Sequence, residues 1–487
     1  MASNMHEQKS GLSSSLWNLF RSIASLIFGK FEDEEFKKFA RMGFVFTLII
    51  GSYWTLRTLK NGVFMNLVSD NMLPWAKTFS IFFLFPVVGI YSTLLNKHSR
   101  EKMFYLVPMF YGISMLIIGA LFFIFQAPDQ IIHSRTGLAW FATKAVGFFS
   151  YVMIESYGSL LPALFWAFAS EVTGTESAKK GFPLIYAIGQ VGGILGPKYL
   201  LKLPKCFESL SKKGMIPASL DGLHLSGALP AMVCAILTLM IIVLFRHFLK
   251  VTPKSVLTSY ATHAQNKSTA HEEEPGFFEG LKLMLKHGYL FGIFASIFVF
   301  EFIVTVFDFN FQKAIKANFG HSNALMLEYQ GYYGSWVNTV TLACLLLGVS
   351  NIARFLGVGV ALAIVPLVVG GALYTFIAGG DINLLLILMV GSKAIGYALN
   401  GPAQKQLYIP LSHDARFKAQ AWIESFGSRL SKEGGSLFNM LYPVLQSATY
   451  IMWTGYLGFS MIALWFGTAI YLGARHKKAV QENKIVC

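Results

Sequence analysis

The chain alternates apolar runs of helix-crossing length with short polar stretches. A membrane-spanning helix needs about 20 mainly apolar residues. That ruler predicts twelve spans, at 43–68, 73–95, 104–126, 145–168, 183–202, 226–248, 288–309, 332–350, 354–378, 382–400, 434–449 and 451–473. Polar or glycine-rich pieces interrupt the first and fifth, and the eleventh is short. Residues 249–285 form the one long polar stretch, dividing the spans into six and six. The pattern predicts an all-α polytopic membrane protein with two six-helix bundles, over 43–248 and 286–474. A cytoplasmic segment over 1–42, a cytoplasmic central loop over 249–285 and a cytoplasmic tail over 475–487 complete it. Ahead of the first span, Leu16, Trp17, Leu19, Phe20, Ile23, Leu26, Ile27 and Phe31 recur at helical spacing with Arg21 and Lys30. That stretch reads either as a helix lying in the membrane interface or as a linker helix packed on the protein.

Composition sharpens this picture: 54% of the 487 residues are apolar and 13% charged, against about 45–50% and about 25% in soluble domains. An ordinary soluble enzyme and an intrinsically disordered chain are both excluded. The formal charge of +15 points not to nucleic acid but to loops held on the cytoplasmic side, where Lys and Arg accumulate. Six of these cations fall in the first 42 residues, three between Asn96 and Met103 and four after Gly473, whereas the loops near 69–72, 378–381 and 450 have none. Both termini and the central loop are therefore expected in the cytoplasm. Lys198, Lys202, Lys205, Lys212 and Lys213 break the rule in a predicted external loop; either that loop attracts anions or the fifth span is misplaced. Cys206, Cys234, Cys344 and Cys487 have no disulfide or zinc spacing, and Cys487 lacks the residues a CaaX box requires. No signal or transit peptide is recognisable, since Glu32, Asp33, Glu34 and Glu35 are foreign to acid-poor targeting segments. The sequon at Asn266 falls in the predicted cytoplasmic loop and reads as a chance match.

Candidate chemistry lies in ionisable groups inside apolar segments, each costing on the order of 2.5–3.5 kcal/mol at the bilayer centre unless it faces a cavity or a partner. Arg57 and Lys60 stand three apart on one helix face, either as a substrate-facing pair or as the snorkelling end of a short first helix. Glu155 sits in the fourth span, and Glu301 and Asp308 lie seven residues apart in the seventh. These carboxylates could hold cavity lysines when no substrate is bound, carry a coupling proton, or stay protonated. Lys418, Arg429 and Lys432 precede Gly434-Gly435 at the eleventh span, where Lys432 is either an anion contact or a loop lysine. Cations from both halves with carboxylate counterions suit a multiply charged anion. Arg57 can grip a phosphate through two parallel hydrogen bonds, while Lys60 and Lys432 act as movable point charges. Tyr53, Trp54, Phe165 and Trp166 offer rings to stack a base, or simply pack the core. No P-loop, HExxH or Gly-x-Ser-x-Gly motif is present; the chain is read as a non-enzyme that needs no cofactor and is not driven by ATP hydrolysis.

Three stretches carry a family resemblance: Tyr53-Trp54-Thr55-Leu56-Arg57-Thr58-Leu59-Lys60; Glu155-Ser156-Tyr157-Gly158-Ser159 leading to Phe165-Trp166-Ala167-Phe168-Ala169-Ser170-Glu171-Val172-Thr173; and Lys405-Gln406-Leu407-Tyr408-Ile409-Pro410-Leu411 leading to Leu430-Ser431-Lys432-Glu433-Gly434-Gly435. In this order the chain resembles the ATP/ADP translocases of plastids and obligate intracellular bacteria, from about Phe36 to Lys478. The resemblance implies a major-facilitator-like architecture and nucleotide transport by exchange, ATP for ADP with phosphate, or in some members together with protons. It also implies that Lys60, Glu155, Asp308 and Lys432 are the transport-critical charges, with Glu301 a rival to Asp308. The family's first-helix pattern is usually Arg-Asp-x-Lys-Asp, whereas Thr58 and Asn61 stand in place of both acids here. That departure leaves open a proton-coupled importer of another nucleotide (GTP, UTP, CTP or NAD), or a carrier of another organic phosphate. A bacterial inner membrane is the expected location.

Overall fold

The computed structural model describes residues 17–126, 129–173, 175–215, 222–253, 257, 277–348, 355–379, 381–412, 419–420, 422–482 and 485–486. Lys418, most of the central loop and the sequon at Asn266 lie outside them. Two sets of six helices account for most of the remainder. The first set is α1 Asp33–Leu67, α2 Leu73–Lys97, α3 Arg100–Phe125, α4 Gly137–Glu171, α5 Thr175–Leu200 and α6 Gly222–Val251. The second is α7 Gly288–Phe319, α8 Asn323–Leu346, α9 Val358–Ile377, α10 Ile382–Leu407, α11 Ser428–Asn439 and α12 Ser447–Gln481. No strand occurs among the described residues. Among them, nine helices are long and apolar enough to cross a bilayer, namely all but α5, α8 and α11. Those three carry more glycine and polar positions, many turned toward neighbouring helices or the cavity described below.

Several boundaries differ from the hydropathy ruler, each for a local reason. α1 starts at Asp33 rather than 43, because Glu32 and Glu35 close a reciprocal capping box and acids occupy the first turn. α8 starts at Asn323 rather than 332, under the hydroxyl of Ser322, which accepts from the Leu325 amide at 3.4 Å. The eleventh helix is the largest departure: it ends at Asn439, whereas the sequence pattern places it at 434–449. Gly434-Gly435 looks like a helix start, yet it lies mid-helix, where a Cβ on Gly435 would stand 2.8 Å from Thr305 Cβ and 2.9 Å from the Phe302 carbonyl. The helix instead extends backwards through a π turn at Ile423–Gly427, and a second π turn, Gly396–Asn400, interrupts α10.

α1 and α5 pack backbone to backbone: a Cβ on Gly192 would meet the Thr47 carbonyl oxygen at 2.0 Å. Small residues permit such an approach, and in lipid, where apolar surfaces gain little by meeting, close packing is what holds helices together. Helix ends are closed by lysines. Lys38 Nζ donates to the Val172 carbonyl at the end of α4 at 2.7 Å, and Lys144 Nζ donates to Val68 and Leu67 at the end of α1 at 2.7 and 3.1 Å. The alternation of directions brings the start of α1 and the end of α12 to one side, here the near side; Leu67, Phe319 and Asn439 end on the far side. The helix over 17–28 precedes α1, tied to it by Arg21, which donates to Phe31 O at 2.8 Å and pairs with Asp33 at 3.3 Å. Leu19, Ile23, Leu26 and Ile27 remain exposed along it.

Candidate functional site

A cavity of about 260 Å³ lies between the two helix sets, walled by α1, α2 and α4 on one side and by α7, α8, α10 and α11 on the other. Tyr53, Arg57, Lys60, Glu155, Glu301, Asp308 and Lys432, all singled out from sequence, line it. Lys60 Nζ pairs with Glu155 and sits 4.2 Å from the Tyr151 ring centroid, a site where a cation is attracted to the aromatic face. The Lys60 side chain is only 7% exposed, whereas that of Glu155 is 42% exposed, so the carboxylate is the member of the pair open to an incoming solute. Lys432 is 3.7 Å from Glu301 with its side chain half exposed. Arg57 donates to the Tyr53 hydroxyl at 2.7 Å and lies 5.0 Å from the Trp54 ring centroid, which fixes its guanidinium plane.

Other residues depart from the sequence expectation. The lysine that Asp308 holds is Lys77 of α2, at 2.7 Å, a residue given no role from sequence. Phe165 and Trp166 are absent from the cavity wall: Phe165 stacks on Phe46 at 4.6 Å, and Trp166 meets Phe46 and Phe182 edge-on at 5.2 and 5.3 Å. Their rings hold α4 against α1 and α5, and the aromatic residues that do face the cavity are Tyr53, Tyr151 and Tyr333. Three cavity cations were not assigned a role from sequence: Lys77, Lys393 and Arg429. Lys393 carries the same signal as the others, a lone cation inside an apolar run, and that criterion would have found it. Lys77, four residues into α2 behind Pro74, looks from sequence like an interfacial lysine.

Polar contacts between the halves gather on the far side. Lys313 of α7 reaches Asp70 at 2.7 Å and Asn71 at 2.8 Å in the turn between α1 and α2. Thr78 donates to Glu433 at 2.6 Å, and Asn66 to Asn323 at 3.1 Å. Together with the Lys77–Asp308 pair, these contacts join the two halves on that side.

Residues 17–475 match the family described as TLC ATP/ADP transporter. The chain belongs to that family. It is 26% identical to "ADP,ATP carrier protein 1" of Rickettsia prowazekii (strain Madrid E), covering 93% of this chain and 96% of that protein. It is 24% identical to "ADP,ATP carrier protein 2, chloroplastic" of Arabidopsis thaliana, covering 95% of this chain and 78% of that one. Among solved structures, a bacterial homologue of the iron transporter ferroportin in an inward-facing state superposes with a TM-score of 0.62 at 12% identity, over 90% of this chain and 99% of that one. The nucleoside transporter NupG superposes at 0.55 and 12% identity, over 88% and 98%. At such identities these likenesses speak to the fold, which is major-facilitator-like.

In this TLC-family transporter the cavity carries six cations (Arg57, Lys60, Lys77, Lys393, Arg429, Lys432) against three carboxylates (Glu155, Glu301, Asp308), a formal excess of three positive charges. Charges in a low-dielectric cavity interact far more strongly than in water, so an excess of one sign selects strongly for a counterion of the other. Thr58 and Asn61 add none of the negative charge that acids would bring. The Thr58 hydroxyl is spent on the Trp54 carbonyl at 2.8 Å, and the buried Asn61 Oδ1 has no hydrogen-bond partner among the described residues.

Proposed function

We propose that this multi-pass membrane protein exchanges nucleotides, ATP for ADP with phosphate, across a bacterial inner membrane by alternating access, with both termini in the cytoplasm. The observation that carries the reading is a cavity between two six-helix halves whose wall holds three more cations than carboxylates, in a chain of the TLC ATP/ADP transporter family. The relatives' names supply the substrates, and the Rickettsia relatives support the bacterial membrane. Lys60, Arg57 and Lys432 meet the substrate, while Glu155, Glu301 and Asp308 neutralise lysines when the cavity is empty and give them up as the polyanion arrives. Breaking an ion pair is repaid by the new phosphate contacts, so the empty cavity never holds every charge unmatched. Exchange also suits the energetics: importing one negative charge against an inside-negative potential costs about 2.3 kcal/mol per 100 mV, and the outgoing anion returns most of it.

The test is uptake of labelled ATP into proteoliposomes, with and without internal ADP, challenged with excess GTP, CTP, UTP, NAD and phosphate. Uptake that requires internal ADP and yields only to adenine nucleotides is expected. Uptake without preload that collapses with an uncoupler would replace exchange by proton symport, with Glu155, Asp308 or Glu301 as carrier, and competition by another base would change the substrate.

A further inference from the structure

Three of the six cavity cations already have a carboxylate. Lys60 is paired with Glu155, Lys77 with Asp308 and Lys432 with Glu301. Arg57, Lys393 and Arg429 form no ion pair among the described residues. Lys393 feels the attraction of Glu301 and Asp308 and the repulsion of Arg57, yet neither carboxylate comes within pairing distance. An unpaired cation in such surroundings is held at a cost, and like charges gathered round one space raise that cost until an anion enters.

Where the last two stand in their helices is equally telling. Lys393 is three residues before the π turn Gly396–Asn400 of α10, and Arg429 is two residues after the π turn Ile423–Gly427 that leads into α11. A π turn takes in an extra residue and rotates the helix beyond it, and such turns are frequent at functional sites. Both π turns therefore adjoin an unpaired cation of the second half, across the cavity from Arg57 of the first.

We propose that Arg57, Lys393 and Arg429 are the residues that take the substrate's phosphate chain, and that Lys393 and Arg429 make affinity depend on the number of phosphates; this rests on the nucleotide reading above. A phosphate chain held by all three bridges α1 to α10 and α11, joining the two halves as it binds. Lys60 and Lys432 join the phosphates after these three, since each must leave its carboxylate before it can touch an anion.

The test is equilibrium binding of labelled AMP, ADP and ATP, and of inorganic triphosphate, to the purified full-length protein. For the wild type, affinity is expected to rise from AMP to ATP. Lys393→Gln and Arg429→Gln should each weaken ATP on the order of tenfold to a hundredfold, the range of a lost charge-assisted hydrogen bond, while AMP changes little. Lys393→Arg should restore the rise, which separates lost charge from misfolding. Variants Lys393→Gln and Arg429→Gln that bind ATP as the wild type does, or that lose AMP and ATP equally, would overturn the assignment. Should the wild type bind triphosphate but no nucleotide, the nucleotide reading falls, and loss of triphosphate in the same variants still supports these three cations.

Discussion

Lys313 is the most telling single side chain among the far-side contacts between the halves, because it ties α7 to the turn between α1 and α2 without lining the cavity. Replacing it with Ala removes an ion pair to Asp70 at 2.7 Å, a hydrogen bond to Asn71 at 2.8 Å and a cation–π contact with Tyr442 at 4.3 Å. The two charged side chains are 18% and 24% exposed, so the pair is neither fully solvated nor sealed. Exposed pairs contribute up to about 1 kcal/mol, while breaking a buried pair costs about 3–5; discounted for solvent, about 2 kcal/mol is reasonable here. If the contact exists only in the far-closed state, its loss shifts the balance toward far-open roughly 30-fold. The assay is labelling of Ser80→Cys, which lines the cavity, with a membrane-impermeant maleimide applied from the far side. It uses a background in which Cys206, Cys234, Cys344 and Cys487 are replaced. Lys313→Ala should label roughly 30-fold faster at low far-open population, and Asp70→Lys with Lys313→Asp should return part of the way, since the Tyr442 contact goes with the lysine. Labelling within about twofold of the parent in Lys313→Ala would refute the claim that this contact latches the transporter.

Other expectations follow from the same geometry. Lys60→Ala should abolish nucleotide uptake while the protein elutes as the same folded species; wild-type uptake would remove Lys60 from the site. Phe165→Ala should cost about 3–5 kcal/mol through the cavity left against Phe46, lowering the thermal midpoint but leaving the ratio of adenine to guanine nucleotide competition unchanged; a changed ratio would bring Phe165 back to the substrate. Gly192→Leu should separate α1 from α5, because no side chain fits 2.0 Å from a carbonyl oxygen. A loss of at least about 1–3 kcal/mol is expected, and an unchanged melting temperature would contradict the backbone-to-backbone packing.

Much of the site was legible because membranes punish stray charge. Lys60, Glu155, Glu301, Asp308 and Lys432 announce themselves as ionisable residues in apolar or glycine-rich stretches, and all five line the cavity. Lys393 gives the same signal. Lys77 does not, since a lysine near a helix start is ordinary at an interface, and only its position opposite Asp308 gives it a role. Phe165 and Trp166 failed for a complementary reason: an aromatic in a membrane helix carries no mark of which way it faces, and theirs is decided by Phe46 and Phe182.

The sequence by itself determined the all-α membrane fold class and marked most of the ionisable residues that line the cavity, because hydropathy and the cost of burying charge act locally along the chain. The tertiary structure alone decided who pairs with whom. Whether Asp308 answers Lys77 or Lys432, whether Gly434-Gly435 starts a helix or lies mid-helix against α7, and which cations stay unpaired all depend on side chains distant in sequence meeting across helix faces. Spacing along one helix fixes an angle on that helix but not its rotation against its neighbours, and in this transporter that rotation sets the charge of the cavity.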